Sequence, residues 1–221
     1  MTKNHLKARA APRTWNIPRK KTIFVTRPNS GGQALEMTLP LSIILKDLKL
    51  AETKKECNYI IRNTPVVVNG KRRHDVRFPV GFMDVLSLPE HSAHYTLTLD
   101  EKGRLVCEKL DAKQAERKYA QVRGSNHVRG GKLQLHLSDG SNVLVSKPIT
   151  SGATVAISLD KRTVESEHPV AAKASVILTS GKHRGKRGVL ESIEGEYVHI
   201  STPTGAISTK KEYAFVLGGT A

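Results

Sequence analysis

The stretch Val176-Ile-Leu-Thr-Ser-Gly-Lys-His-Arg-Gly-Lys-Arg-Gly-Val-Leu190 carries the reading of this chain. It reads as a short strand, a turn loaded with glycine and cations, and a second short strand. Gly181, Gly185 and Gly188 recur at spacings of four and three, and between them stand Lys182, His183, Arg184, Lys186 and Arg187 without an acidic residue. Glycine permits backbone conformations and close approaches that a side chain blocks. A cationic loop of low bulk, held by apolar strands on both sides, can lie directly on a phosphate backbone. The plainer reading of the same letters is a solvated basic hairpin tip, since charge runs alone are common.

Composition bears on that choice. The chain of 221 residues has a formal net charge of +16. A balance of this size speaks about partners rather than about fold. Polyphosphate is the first candidate partner and a membrane surface the second. No apolar stretch approaches the roughly 20 residues that span a bilayer, and the N-terminus lacks the apolar core of a signal peptide. Cys57 and Cys107 sit in unrelated contexts, which points to neither a disulfide framework nor a metal site and fits a reducing cytosol. Aromatics make up only 5% of the chain, so backbone contacts should dominate over base stacking.

Half of the net charge lies near the N-terminus. Residues 1–35 hold eight cations (Lys3, Lys7, Arg9, Arg13, Arg19, Lys20, Lys21, Arg27) and no Asp or Glu. Pro12, Pro18, Pro28, Gly31 and Gly32 break any long helix. The expectation is an arm over 1–38 that is extended or disordered when free and orders on RNA. Trp15 within it could stack on a base or anchor the arm to the body. Leu6, Ile17, Ile23, Phe24 and Val25 argue that the arm docks on something.

From Leu39 the pattern turns helical: Leu39, Leu41, Ile43, Ile44, Leu45 and Leu48 recur with Lys46, Asp47 and Lys49 outward. Thr53-Lys-Lys-Glu56 is a capping-box signature for a second helix. Cys57, Ile60 and Ile61 form its buried face and Lys54, Lys55 and Arg62 its solvent face, and Asn63-Thr64-Pro65 ends it. The β-branched run Val66–Val68 leads into Asn69-Gly70, a tight-turn pair. Lys71, Arg72, Arg73 and Arg77 follow, then a strand near Met83–Leu88.

Residues 91–170 read as β structure. Tyr95–Leu99 and Arg104–Glu108 flank a hairpin turn at Asp100–Gly103, Asp111–Tyr119 reads as one short helix, and Leu133–Leu137 alternates cleanly. Asn142–Val145 and Val155–Leu159 continue the pattern. Arg123, His127, Arg129 and Lys132 surround Gly124, Gly130 and Gly131, either a further RNA-facing patch or a solvated loop. Tyr197–Ile200 and Tyr213–Leu217 should complete a small barrel over 171–221.

The glycine-rich stretch resembles a KOW motif. The two short helices followed by Val66–Gly70 and a basic loop resemble the S-four RNA-binding module, with the usual Gly-Asp replaced by Gly81-Phe-Met-Asp84. The order of arm, module, β domain and KOW barrel resembles the archaeal and eukaryotic small-subunit ribosomal protein family S-four-e, archaeal in length. His5-Leu6-Lys7, Ala11-Pro12, Trp15, Arg27-Pro28, Leu39-Pro40-Leu41 and Phe78–Val85 carry that resemblance, which runs from about residue 3 to 217. It implies an α+β architecture: a basic arm (1–38), an S-four-type module (39–90), a central β-rich domain (91–170) and an SH3-like KOW barrel (171–221). It implies RNA contacts from the arm (Lys3, His5, Lys7, Arg9, Arg13, Trp15, Arg19, Lys20, Lys21, Arg27). It also implies contacts from the module (Lys54, Lys55, Arg62, Asn69, Gly70, Lys71, Arg72, Arg73) and from Gly181–Gly188. Small-subunit rRNA and neighbouring ribosomal proteins are the implied partners, in the cytoplasm, with no cofactor, metal, membrane or small-molecule substrate.

Enzymatic readings find little support. No Gly-x-Ser-x-Gly nucleophile motif is present. The glycine loop is one residue short of a nucleotide-binding P-loop, and Arg187 stands where Ser or Thr is required. His91 and His94 have no adjacent cysteine or acidic cluster to make a metal site. A nonribosomal RNA-binding or RNA-modifying factor is the alternative.

Overall fold

The structure is a computed structural model that describes residues 5–203 and 205–217. Two compact units emerge, one running to Thr98 with Arg104–Glu116, the other comprising Leu99–Gly103 and everything from Arg117. Strands dominate and only two α-helices occur among the described residues.

In the first unit, β1 (Leu6–Lys7) pairs antiparallel with β2 (Phe24–Val25). β3 (Thr38–Pro40) leads straight into α1 (Leu41–Asp47). The apolar spacing puts Leu41, Ile44 and Leu45 at 0% exposure, and Lys49, at φ 58°, turns the chain out of the helix. α2 (Lys54–Asn63) opens on the expected capping box: the Glu56 N–H donates to Thr53 Oγ1 at 3.2 Å and the Glu56 carboxylate accepts from the N–H of Thr53. Thr64 is extended before Pro65, as the proline ring requires, and α2 stops there. Thr53→Ala is expected to cost about 1 kcal/mol in chemical denaturation, with Thr53→Ser close to wild type. Equal stability of wild type and alanine variant would contradict the cap's role.

The same unit holds β4 (Val67–Val68), β5 (Lys71–Arg72), β6 (Pro79–Gly81), β7 (Val85–Leu88), β8 (Ala93–Leu99) and β9 (Leu105–Leu110). Five of them form a sheet in the order β5-β4-β7-β8-β9, and β6 pairs with β3. Asn69 and Gly70, at φ 50° and 74°, make the tight β4–β5 turn, whose two positive φ values suit these residues.

The second unit carries two five-stranded sheets. The first, ordered β12-β11-β10-β13-β14, contains β10 (Arg117–His127), β11 (Leu133–Leu137), β12 (Asn142–Val145), β13 (Thr154–Ser158) and β14 (Val164–His168). β11 alternates in and out as its letters predict, whereas the central β13 has its first four residues buried. The helix expected over Asp111–Tyr119 does not form. A single 3-10 turn occupies Gln114–Glu116, and Arg117–Gln121 pair with Thr154–Ser158 instead. Helix-favouring letters yield there to the hydrogen bonds of a central ladder.

The second sheet is ordered β18-β17-β16-β15-β19, from β15 (Ser175–Leu178), β16 (Arg187–Glu194), β17 (Tyr197–Thr202), β18 (Gly205–Lys210) and β19 (Ala214–Val216). Val176, Leu178, Leu190, Val198, Ile200 and Val216 share one core beneath it. The opening stretch is thus strand, loop and strand as read, with β15 and β16 adjacent and antiparallel.

One buried ion pair lies in this unit. Lys118 Nζ reaches Asp139 Oδ2 at 2.6 Å, both side chains 8% exposed. Burial alone would raise the Asp139 carboxyl. The Lys118 ammonium, with the hydroxyl and N–H of Ser141, outweighs it and holds the group below the usual carboxylate range.

Candidate nucleic-acid interface

The N-terminal segment is held by its own backbone carbonyls. The Arg19 guanidinium donates to the carbonyls of Ala8, Ala11 and Pro12 at 3.2, 2.9 and 2.6 Å, closing a loop across the arm. Trp15 is 2% exposed, bridges Leu105 and donates its indole N–H to the Leu35 carbonyl at 3.3 Å. Of the two options open for Trp15, the geometry is that of an anchor. The arm is therefore folded rather than loose, because one tryptophan and one arginine supply attachments that its sparse apolar residues could not. His5, Lys7, Arg9, Arg13, Lys20 and Lys21 remain exposed, and Arg27 is half-buried. Lys3 lies outside the described residues.

On α2, Lys54, Lys55 and Arg62 are all exposed, Lys55 and Arg62 on the side away from the buried Cys57 and Ile61. The β4–β5 turn presents Gly70, Lys71 and Arg72 to solvent. Asn69 faces inward: its amide N–H donates to Asp84 Oδ1 at 2.9 Å and its carbonyl accepts from the Val85 N–H at 2.9 Å. Asp84, 7% exposed, also accepts from the Gly81 N–H at 2.7 Å. The displaced Asp84 therefore ties the turn to the Gly81–Val85 segment. Arg73 is half-buried with its guanidinium 4.2 Å above the Phe78 ring centroid, a cation–π arrangement. Arg77, not singled out as a contact residue from sequence, lines a cleft of about 380 Å³ with Arg27, Asn29 and Gln33. The doublet of Arg27 and Arg77 was invisible in sequence because the two lie fifty positions apart and meet through a hydrogen bond from Arg77 Nε to the Arg27 carbonyl at 3.1 Å.

In the loop between β15 and β16, Lys182 and Arg187 are exposed, while His183, Arg184 and Lys186 are half-buried. The loop folds back on itself: the Gly185 N–H donates to the Leu178 carbonyl at 2.7 Å and the Leu178 N–H to Lys186 at 3.0 Å. Gly185 has φ 87°, and a Cβ there would collide with the Asp100 carbonyl and sit 2.8 Å from the Gly103 nitrogen. Gly188 is equally confined, by the Ser201 carbonyl and the Ile200 and Thr202 methyls. Gly185 and Gly188 are thus required by the close approach of their surroundings. Arg123, His127, Arg129 and Lys132 are all exposed around the β10–β11 turn, where Gly130 and Gly131 take φ of 90° and 70°.

The remaining chemistry is inert. Burial, and then the charge of Asp47, pushes the Cys107 thiol up to about 12, and burial raises Cys57 as well. Neither is a thiolate near neutral pH. Among the described residues no cluster of three or more metal-ligating side chains occurs, and no helix is long and apolar enough to cross a membrane. His94 Nδ1 lies 2.9 Å from Ser87 Oγ.

Comparison with known proteins falls into line with this cationic surface. Residues 91–164 match the family described as Ribosomal family S4e, and residues 2–32 match the RS4NT (NUC023) domain. The chain is 32% identical to the small ribosomal subunit protein eS4 of Methanosphaera stadtmanae, over 98% of this chain and 93% of that one. It is 34% identical to the protein of the same name from Methanocella arvoryzae, over 99% and 95%. The crystal structure of the 30S ribosomal protein S4e from Thermoplasma acidophilum superposes with a TM-score of 0.70 at 28% identity, covering 83% of this chain and 96% of that one. The chain belongs to the S4e family of ribosomal proteins. That family is one of structural proteins rather than enzymes.

Proposed function

We propose that this chain is a noncatalytic constituent of the small ribosomal subunit in the cytoplasm, supporting translation by binding small-subunit rRNA beside neighbouring ribosomal proteins. The observation that carries the reading is the clustering of exposed cations on three elements: the stapled arm, α2 with the β4–β5 turn, and the β15–β16 loop. Within that reading the segment 39–90 acts as an S-four-type module and 171–221 as an SH3-like barrel with a KOW loop, separated by the β-rich 91–170. The arm neutralises phosphates through Lys7, Arg9, Arg13, Lys20 and Lys21, and Lys3 belongs to the same proposal. The module reads RNA shape through Lys54, Lys55, Arg62, Lys71 and Arg72. Arg19, Trp15, Asn69 and Arg73 position those groups from behind.

Sedimentation of a native lysate through a density gradient tests this. Cofractionation with small subunits that is lost after RNase supports it, and confinement to the light fractions would favour a free RNA-binding or RNA-modifying factor. For the loop, Lys182→Ala with Arg187→Ala should weaken rRNA binding roughly three- to tenfold at moderate salt and reduce the salt slope by about 1.5. Binding unchanged in both respects would remove the loop from the interface.

A further inference from the structure

Tyr59 is 71% exposed near the middle of α2, in a chain with few aromatic residues. At about 100° per residue it projects roughly 180° from the midpoint of Cys57 and Ile61, the buried face. Its ring therefore contributes nothing to the core. Lys55 and Arg62 lie within about 60° of it on one side of the helix. The Arg72 guanidinium donates to the Arg62 carbonyl at 3.4 Å, which brings a third cation to the same helix end. Glu56, on the other flank, is committed to the capping box through the Glu52 and Thr53 N–H groups and the Thr53 hydroxyl. An exposed aromatic ring beside three cations offers a face for a base and charge for the phosphates on either side of it.

We propose that Tyr59 is a stacking platform for an unpaired base of the bound RNA, a role that rests on the RNA-binding reading above. A platform differs from a phosphate contact in a measurable way: stacking adds affinity that salt does not screen. The test is equilibrium binding of the full chain to a small-subunit rRNA transcript across a salt series, for wild type, Tyr59→Ala, Tyr59→Leu and Tyr59→Phe. The expected result is a loss of about five- to hundredfold for Ala and Leu with the salt slope unchanged, and retention within twofold for Phe. The exposed position predicts unaltered unfolding midpoints, which separates binding from folding. Tyr59→Leu binding like wild type would show that the affinity needs no aromatic face and would overturn the platform, as would wild-type affinity in Tyr59→Ala. A wild-type chain that bound no RNA would overturn the underlying reading and the platform with it.

Discussion

Gly185→Val is expected to destabilise the second unit by about 2–5 kcal/mol and to abolish the loop's contribution to RNA binding although every cation remains. Two effects add. The residue sits at φ 87°, where a β-branched side chain is strained, and its Cβ would occupy the space of the Asp100 carbonyl and the Gly103 backbone. The obstacle is backbone on both sides, so no side-chain rotamer relieves it. Even Gly185→Ala should cost a large part of this, because the Cβ itself collides. Chemical denaturation with rRNA binding in parallel gives the answer. A valine variant as stable as wild type would show that the Asp100–Gly103 turn does not pack on the loop.

Asp139→Ala is expected to cost about 3–5 kcal/mol, because it removes the carboxylate paired with the Lys118 ammonium in a site where both side chains are 8% exposed. Replacing both partners together, Lys118→Met with Asp139→Leu, should be far milder than the single change, since no uncompensated charge is left. The pH dependence has a definite sign. The folded carboxyl titrates below its unfolded value of about 3.9, so the pair's contribution is fully present above that pH. It is lost as the pH falls through the lower, folded value. Wild type should therefore lose stability relative to the double variant below about pH 4. A difference between the two that stays constant through the acid range would mean that the pair contributes no proton linkage.

Much of the architecture could be read from local letters. The β15–loop–β16 unit, the α2 capping box, the Asn69-Gly70 turn and the alternation of β11 each follow from a few neighbouring residues, and each appears where those residues stand. What escaped reading has two causes: partners distant in sequence, and outer strands that lack apolar alternation. Arg117–Gln121 carry helix-favouring residues and become a strand only because β13 is there to pair with. β14, Val-Glu-Ser-Glu-His, and β18, Gly-Ala-Ile-Ser-Thr-Lys, are outer strands of their sheets with little apolar alternation to announce them. For the candidate interface the cationic residues themselves were legible. Their division into exposed groups and internal anchors was not, since Arg19 is taken by three carbonyls and Trp15 by Leu35. Tyr59 carries no signal in the letters alone, since one aromatic on a helix is unremarkable until its exposure is known.

On the proposed reading, this chain grips rRNA chiefly by neutralising phosphates from its cationic surfaces. The salt dependence of its affinity for a small-subunit rRNA transcript tests that most directly. With twelve exposed lysines and arginines on the three surfaces among the described residues, of which a majority meet phosphate, log K should fall against log salt with a slope steeper than about −4. A slope near zero, or affinity that survives raising the salt fivefold, would contradict the account.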